Sequence, residues 1–190
     1  MSNFTQTNKP IEDRVLTKDK FKEVLKIDEY YKGRWDYHSE VINEIVKLDD
    51  VNTILELGPR RCPLVEHEDI IDISDRYVVD YPIEINDFFT HNCQKVPYPV
   101  DKKYDLVIAC QVLEHLGIRG EQRDIFDELE RICKKAIITL PYKWHKPYNR
   151  DHHMIDKEVI EWWANGREPV YEKISEQKNH DRILQIYEFE

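Results

Sequence analysis

The segment 141–153 holds the densest group of chemically capable side chains in the sequence. It reads Pro-Tyr-Lys-Trp-His-Lys-Pro-Tyr-Asn-Arg-Asp-His-His. Imidazoles can accept a proton near neutral pH, and aromatic and basic groups on a loop can converge on a pocket built by a rigid sheet. We therefore predict a substrate-binding loop. Its candidate binding residues are Tyr142, Trp144 and His145, and its candidate bases are His152 and His153.

Two other interpretations of this segment stay open. In the first, Trp144 and Tyr148 pack the loop against the body of the protein, and the histidines are solvated. In the second, the histidines and a nearby carboxylate bind zinc or another divalent ion. The ligands would then come from His145, His152, His153 and either Asp151 or Asp156. We favour a site without metal, because adjacent histidines seldom point the same way.

Polar residues also stand where other strand-like runs end. In open sheets of parallel strands, ligands bind beyond the carboxyl ends of the strands, at the point where the strand order reverses. We therefore expect the segments at these ends to lie together at one edge of a sheet. They are 56–62, Asp72, Asp87, 110–115 and 141–153.

The elements that must position these residues follow from the hydrophobic pattern. Apolar side chains at helical spacing predict helices at 17–31, after Asp36, at 120–134 and at 156–166. Short apolar runs predict strands at 52–58, 69–73, 77–79 or 83–85, 104–110 and 136–140, with an antiparallel hairpin at 170–175 and 182–189. This order predicts an α/β fold: a Rossmann-like, doubly wound, mostly parallel sheet with a C-terminal antiparallel hairpin and helices on both faces.

Length and composition restrict the class of protein further. The chain has 190 residues, 41% of them hydrophobic and 35% charged, which predicts one folded domain at 17–190 after a flexible N-terminus at 1–16. The net charge of −10 repels phosphate backbones, so we expect no nucleic acid partner. No apolar run approaches the roughly 20 residues of a membrane span. The four cysteines form no CxxC pair, which predicts reduced thiols and a cytoplasmic location.

Two motifs in the sequence resemble a known enzyme family. Ile54-Leu-Glu-Leu-Gly58 and Tyr104-Asp-Leu-Val-Ile-Ala-Cys-Gln-Val-Leu-Glu-His-Leu116 look like class I S-adenosylmethionine-dependent methyltransferases. The segment 96–101, Val-Pro-Tyr-Pro-Val-Asp, is similar to the lead into the second motif in the small type 11 group of that family. The resemblance covers roughly residues 36–190.

The resemblance implies a cofactor, S-adenosylmethionine, and roles for single residues. Glu56 would bind the ammonium of the methionine part, and Gly58 would let the backbone approach the cofactor closely. Asp72 matches the acid that binds the ribose, and Asp87 the residue that binds the adenine amino group. The remaining implied residues are Cys110 and Gln111 beside the methyl donor and His115 as a candidate base or cofactor-lining residue.

The glycine motif departs from the family pattern. E-x-G-x-G-x-G stands here as Glu56-Leu-Gly-Pro-Arg-Arg-Cys62, with Arg60 and Cys62 in place of the second and third glycines. Gly58 and Asp72 are 14 residues apart, so we expect the intervening helix to be stunted or absent. Arg60 is predicted to bind an anionic group of the substrate, and a solvated arginine is the alternative.

The implied activity is methyl transfer from S-adenosylmethionine to an oxygen or nitrogen of a small polar acceptor, such as a sugar, a glycan precursor or another metabolite. We expect a small-molecule substrate, no membrane partner and a homodimer as a possible assembly. One alternative is a methyltransferase-like binding or assembly protein without activity. The other is a metal-dependent enzyme that uses the histidines of 145–153.

Overall fold

A computed structural model describes residues 9–116, 120–144, 154–176 and 181–190 of the chain. Three of the predicted site residues, His145, His152 and His153, lie outside these ranges. Within the described ranges, none of the helices is both long enough and apolar enough to span a membrane.

Seven strands form one sheet in the order β3-β2-β1-β4-β5-β7-β6. Strands β1 to β5 run parallel, and β7 pairs antiparallel with both β5 and β6. This confirms the predicted fold class, including the C-terminal antiparallel hairpin. The strands are β1 (Ile54–Leu57), β2 (Asp69–Asp72), β3 (Phe88–Thr90), β4 (Tyr104–Cys110), β5 (Cys133–Pro141), β6 (Tyr171–Ser175) and β7 (Arg182–Glu188).

The order of the strands reverses between β1 and β4. Every residue of β1 and β2 is buried, and β4 carries a run of buried apolar residues from Leu106 to Ala109. Continuous apolar runs are typical of parallel strands that are covered on both faces. After β1 and β4 the chain continues toward opposite edges of the sheet, and sheets of this kind bind ligands at such a position.

Four α-helices in the described ranges cover the sheet on its two faces, as predicted. They are α1 (Lys18–Ile27), α2 (Trp35–Ile45), α3 (Glu121–Ile132) and α4 (Lys157–Ala164). Phe21 of α1 and Ile45 of α2 belong to the core on one face, and Phe126 of α3 and Trp163 of α4 belong to the core on the other. The neighbouring Trp162 is 51% exposed, so only one of the paired tryptophans packs inward.

Some boundaries differ from the prediction for local reasons. Helix α1 ends at Ile27 because the Asp28 side chain accepts a hydrogen bond from the backbone N–H of Tyr30 and starts a separate 3₁₀ turn. The third strand lies at 88–90, and the prediction of 77–79 or 83–85 is wrong. Residues 75–80 instead form a 3₁₀ helix, with the Ser74 side chain capping its first turn. Between β1 and β2 the chain forms no helix, as the short interval predicts.

The folded part of the chain begins before residue 17. The guanidinium of Arg14, which is 1% exposed, donates to the carbonyls of Asn52, Glu66 and His67. Leu16 is also buried, and its backbone N–H donates to the carbonyl of Leu64. The domain boundary at residue 17 stays a prediction, although residues 14–16 already pack against the sheet.

Candidate functional site

A cavity of about 950 Å³ lies at the carboxyl edge of the parallel strands. The turns that follow β1, β2, β3 and β4 form one side of it, and residues 30–38 cover it. The first residue of β7 also lines it, because an antiparallel strand begins at the edge where its parallel neighbours end. The cavity therefore coincides with the ligand position that the sequence predicts.

Most of the described residues that were predicted for the site line this cavity. These are Glu56, Gly58, Arg60, Asp72, Cys110, Gln111, His115 and Trp144. Asp87 and Tyr142 do not line it. The functional roles of all these residues stay predictions, and the two exceptions have structural explanations.

Asp87 lies at the opposite edge of the sheet. Its backbone N–H faces the carboxylate of Asp69, at the amino end of β2, and its carbonyl accepts from the N–H of Ile70. Because β3 runs parallel to β2, the cavity receives the residues after β3 instead, among them Asn92. The predicted placement of Asp87 at the carboxyl edge is wrong, because the prediction put the third strand too early in the chain and so took Asp87 as the end of that strand.

Tyr142 belongs to the apolar core and not to the cavity. It is 8% exposed and packs in the core that also contains Ile155 and Ile160. Trp144, two residues later, lines the cavity, and its indole N–H donates to the carbonyl of Asp181 over 2.7 Å. The two aromatic side chains, both just after the end of β5, therefore have different surroundings.

Gly58 needs the conformation and the space of a glycine. Its φ is +62°, and its backbone N–H donates to the carbonyl of Ile71. A Cβ at this position would lie 3.3 Å from the Cγ2 of Val112, in the turn after β4. The turns after β1 and β4 therefore approach each other closely at the point where the sheet order reverses.

The turn after Gly58 is closed by hydrogen bonds and not by further glycines. The carboxylate of Asp72 accepts from the backbone N–H of Arg60 over 2.9 Å and from that of Ile73 over 2.6 Å. The hydroxyl of Tyr31 donates to the carbonyl of Pro59 and accepts from the N–H of Arg61. Asp72 thus holds the turn while it also lines the cavity.

The two arginines of this turn have different environments. Arg61 pairs with Asp28 over 3.0 Å and with Asp80 over 2.8 Å, so its charge is used within the fold. The Arg60 side chain is 41% exposed, and its guanidinium lies 4.4 Å from the ring centroid of Tyr30. Arg60 is therefore the one of the two that faces the cavity.

A pair of buried acids lies under the turn. Glu56 accepts a hydrogen bond from the N–H of Leu64, and Glu68 is fully buried. Burial raises the pKa of both carboxyls, and for Glu68 the charge of Glu56 raises it further. Because each raised pKa disfavours the charged form, the two acids together keep at least one proton at neutral pH and carry at most one negative charge. That charge lies beside the cavity, which Glu56 lines.

Several cavity residues carry no motif and were missed by the sequence analysis. His38 is 4% exposed, and its Nδ1 lies 3.8 Å from the Sγ of Cys62. Its Nε2 has no hydrogen-bond partner among the described residues. Burial and the charges of Arg34 and Arg182 lower the pKa of His38 to about 3, so this imidazole is neutral.

Glu114 is the buried acid on the β4 side of the cavity. It is 2% exposed, and its Oε2 has no hydrogen-bond partner within the described ranges. Burial raises the pKa of Glu114 to about 8, although the charges of Arg182 and Arg34 act against that rise. The predicted base, His115, has a side chain that is 47% exposed, with its Nε2 3.9 Å from the Oε1 of Glu114. Of these two neighbouring residues, only Glu114 is buried.

The cysteines match the prediction of reduced thiols. No disulfide is formed, and Cys62, Cys93 and Cys133 are buried. Burial raises the pKa of all three thiols, and it does the same for Cys110 at the end of β4. Protonated thiols are poor nucleophiles and poor metal ligands. In the described part of the chain, no three His, Cys, Asp or Glu side chains are grouped to hold a metal ion.

Comparison with known proteins gives a likeness of structure and not of sequence. The sequence matches no protein-family model and no curated protein. The N-methyltransferase NodS from Bradyrhizobium japonicum WM9 is 13% identical with a TM-score of 0.66, over 84% of this chain and 98% of that one. Its structure is also known in complex with S-adenosyl-L-homocysteine.

Two further structures are similar to the same extent. Magnesium protoporphyrin IX methyltransferase (ChlM) from Synechocystis PCC 6803, with bound S-adenosyl-L-homocysteine (SAH), is 15% identical with a TM-score of 0.65, over 91% of this chain and 95% of that one. An S-adenosylmethionine-dependent methyltransferase from Clostridium acetobutylicum ATCC 824 is 11% identical with a TM-score of 0.65, over 90% and 98%. The chain therefore has the fold of class I S-adenosylmethionine-dependent methyltransferases.

Proposed function

We propose that this protein transfers the methyl group of S-adenosylmethionine to an oxygen or nitrogen atom of a small polar acceptor. The acceptor class that we favour is a sugar, a glycan precursor or a similar metabolite. The observation that carries the proposal is the cavity of about 950 Å³ at the reversal of strand order, lined by Glu56, Gly58 and Asp72. This volume is near the upper end of the roughly 300–1,000 Å³ of small-molecule pockets, which leaves room for a nucleoside cofactor and a second small molecule.

The residues of the β1–β2 side fit the cofactor. The Glu56–Glu68 pair would offer its shared negative charge to the ammonium group, and Asp72 has lone pairs left for ribose hydroxyls. Gly58 keeps open the space that a Cβ would fill against Val112. When bound, S-adenosylmethionine would supply a methyl group on a positively charged sulfur, which leaves as a neutral thioether.

The protein must also receive the proton that a hydroxyl or amine acceptor loses. We assign this role to Glu114, because it is buried, lines the cavity and has a carboxylate oxygen without a partner among the described residues. The acceptor atom would form its bond to the methyl carbon as the bond between that carbon and the sulfonium sulfur breaks, while the acceptor's proton moves to the Glu114 carboxylate. His115, more exposed and beside Glu114, stays the alternative base from the motif.

The experiment that tests this proposal is calorimetric titration of the metal-stripped protein with S-adenosylmethionine and, separately, with SAH. We expect micromolar affinity for both ligands, with adenosine alone as a weaker control because it lacks the ammonium group. Absence of binding up to millimolar concentrations would contradict the proposal. It would favour the alternative of a methyltransferase-like binding protein whose altered glycine turn no longer holds the cofactor.

A further inference from the structure

Two arginines line the cavity on the side away from β2. Arg182 is the first residue of β7, and Arg34 directly precedes helix α2. In the sheet, β7 is separated from β1 by β4 and β5, which places its end about 14 Å from the end of β1 at the usual strand spacing. The cavity therefore has two ends, a cofactor end at Glu56 and Asp72 and an acceptor end at Arg34 and Arg182.

Aromatic rings orient both guanidinium groups. Arg182 is 9% exposed, and its guanidinium lies 4.6 Å from the ring centroid of Tyr37 and 5.6 Å from that of Trp144. Arg34 lies 3.8 Å from the ring centroid of Tyr30, and its Nε donates to the Tyr30 carbonyl over 2.8 Å. Contact with a ring uses the face of a guanidinium, while its edge carries the donors that match an oxyanion.

The two charges act on the same small region. The charges of Arg34 and Arg182 both act to lower the pKa of His38 and that of Glu114. The charge of Arg34 also adds to the effect of burial, which lowers the pKa of Arg182. Glu114 does not cancel them at neutral pH, because its pKa is raised to about 8 and it mostly keeps its proton. No ion pair to Arg34 is found among the described residues. In a chain with a net charge of −10, two arginines thus line the same end of the cavity.

We propose that Arg34 and Arg182 bind an oxyanion of the acceptor, a carboxylate or a phosphate group, against the rings of Tyr37 and Trp144. The acceptor class is then an acidic sugar, a sugar phosphate or a similar anionic metabolite, and a neutral sugar is a poor substrate. This inference rests on the proposed function, since it assumes that the acceptor occupies the cavity beside the cofactor.

The test uses inorganic phosphate and acetate as probes of the SAH-loaded protein, at constant ionic strength set with chloride. We expect saturable binding of at least one probe in the millimolar range. Arg34→Gln and Arg182→Gln should each weaken it by about tenfold or more, the usual worth of a hydrogen bond between charged groups. Arg167→Gln is the matched control, because Arg167 pairs with Asp127 and Glu130 far from the cavity.

Which probe binds distinguishes a carboxylate-bearing from a phosphate-bearing acceptor. Binding of neither probe, or equal binding in wild type and in the Arg34→Gln variant, would overturn the inference. Arg34 is only half-buried, so its variant keeps the test valid even if Arg182→Gln fails to fold. The SAH titration that precedes the test separates the two proposals: SAH binding without oxyanion binding rejects this inference alone, whereas loss of SAH binding rejects the proposed function.

Discussion

The two ends of the cavity are built in different ways. The cofactor end takes Glu56, Gly58 and Asp72 from the ends of two adjacent parallel strands. The acceptor end takes Arg34 from the approach to α2 and Arg182 from the start of an antiparallel strand. The first end needs little more than the topology of the sheet, whereas the second depends on contacts between parts of the chain that are far apart in sequence.

The two ends also differ in charge. The cofactor end is acidic, with Asp72 and the proton-sharing pair of Glu56 and Glu68. The acceptor end is basic and aromatic, and burial raises the pKa of its acid Glu114 to about 8, which favours the neutral form at pH 7. This difference suits a cationic, hydroxylated cofactor at one end and an anionic acceptor at the other. It also allows each end to be perturbed without the other.

The largest expected effect is on turnover, at the acceptor end. Glu114→Gln should lower kcat by about a hundredfold, which is the lower end of the effect of losing a general base, and should leave SAH affinity unchanged.

In the wild type, kcat should rise with pH and level off above about pH 8, because burial raises the pKa of Glu114 to about 8 and a base acts only when ionised. Steady-state kinetics across pH 6 to 9 measures both. A collapse of kcat in His115→Gln, with Glu114→Gln active, would show instead that the exposed histidine is the base.

A smaller effect is expected on affinity, at the cofactor end. Gly58→Val should weaken SAH binding at least tenfold, or about 1.4 kcal/mol, because the new side chain meets Val112 and the backbone φ is +62°. Gly166→Val is the matched control, since its φ is +86° and no atom lies within 4 Å of the position of its Cβ. Calorimetry on both variants separates backbone strain from loss of the site. Equal affinity in the two variants would mean that the cofactor does not approach the turn after β1.

The smallest effect compares two aspartates that the sequence assigned to the same cofactor. Asp72→Asn should weaken SAH binding by about fivefold, since the amide keeps one acceptor oxygen and loses the charge. Asp87→Asn should leave SAH affinity unchanged, because Asp87 lies at the amino edge of the sheet beside Asp69. The same titration reports both, with the melting temperature as a check on folding. A loss of SAH affinity in Asp87→Asn, with none in Asp72→Asn, would show that the cofactor does not bind at the carboxyl edge of the sheet.

The sequence predicted the fold class and the position of Glu56 and Asp72 at the cavity because both depend on local patterns. Apolar runs located β1, β2, β4 and β5, and polar residues at their ends identified Glu56 and Asp72. The prediction failed where an element is short and its pattern is weak. Strand β3 has only three residues, and because it was predicted too early in the sequence, Asp87 was placed at the wrong edge of the sheet.

The acceptor end could not be predicted by the same reasoning. Nothing around Arg34 or Arg182 marks a binding residue, and their proximity depends on the insertion of β7 between β5 and β6. Between Glu114 and His115, the motif alone does not say which side chain is buried, since that is decided by the 3₁₀ turn at Leu113–His115. Polar residues at the starts of antiparallel strands that join a parallel sheet are the signal that would have found Arg182.

The covering segment 30–38 has a consequence for how such an enzyme could change over time. It precedes the first strand, so an insertion, deletion or exchange within it alters no strand register, yet it supplies Tyr30, Arg34, Tyr37 and His38 to the cavity. Exchange of this stretch could therefore change the specificity, provided that Tyr31 is kept, because its hydroxyl also closes the turn after Gly58. The same property makes this segment the natural place to graft or randomise when a laboratory seeks a different acceptor.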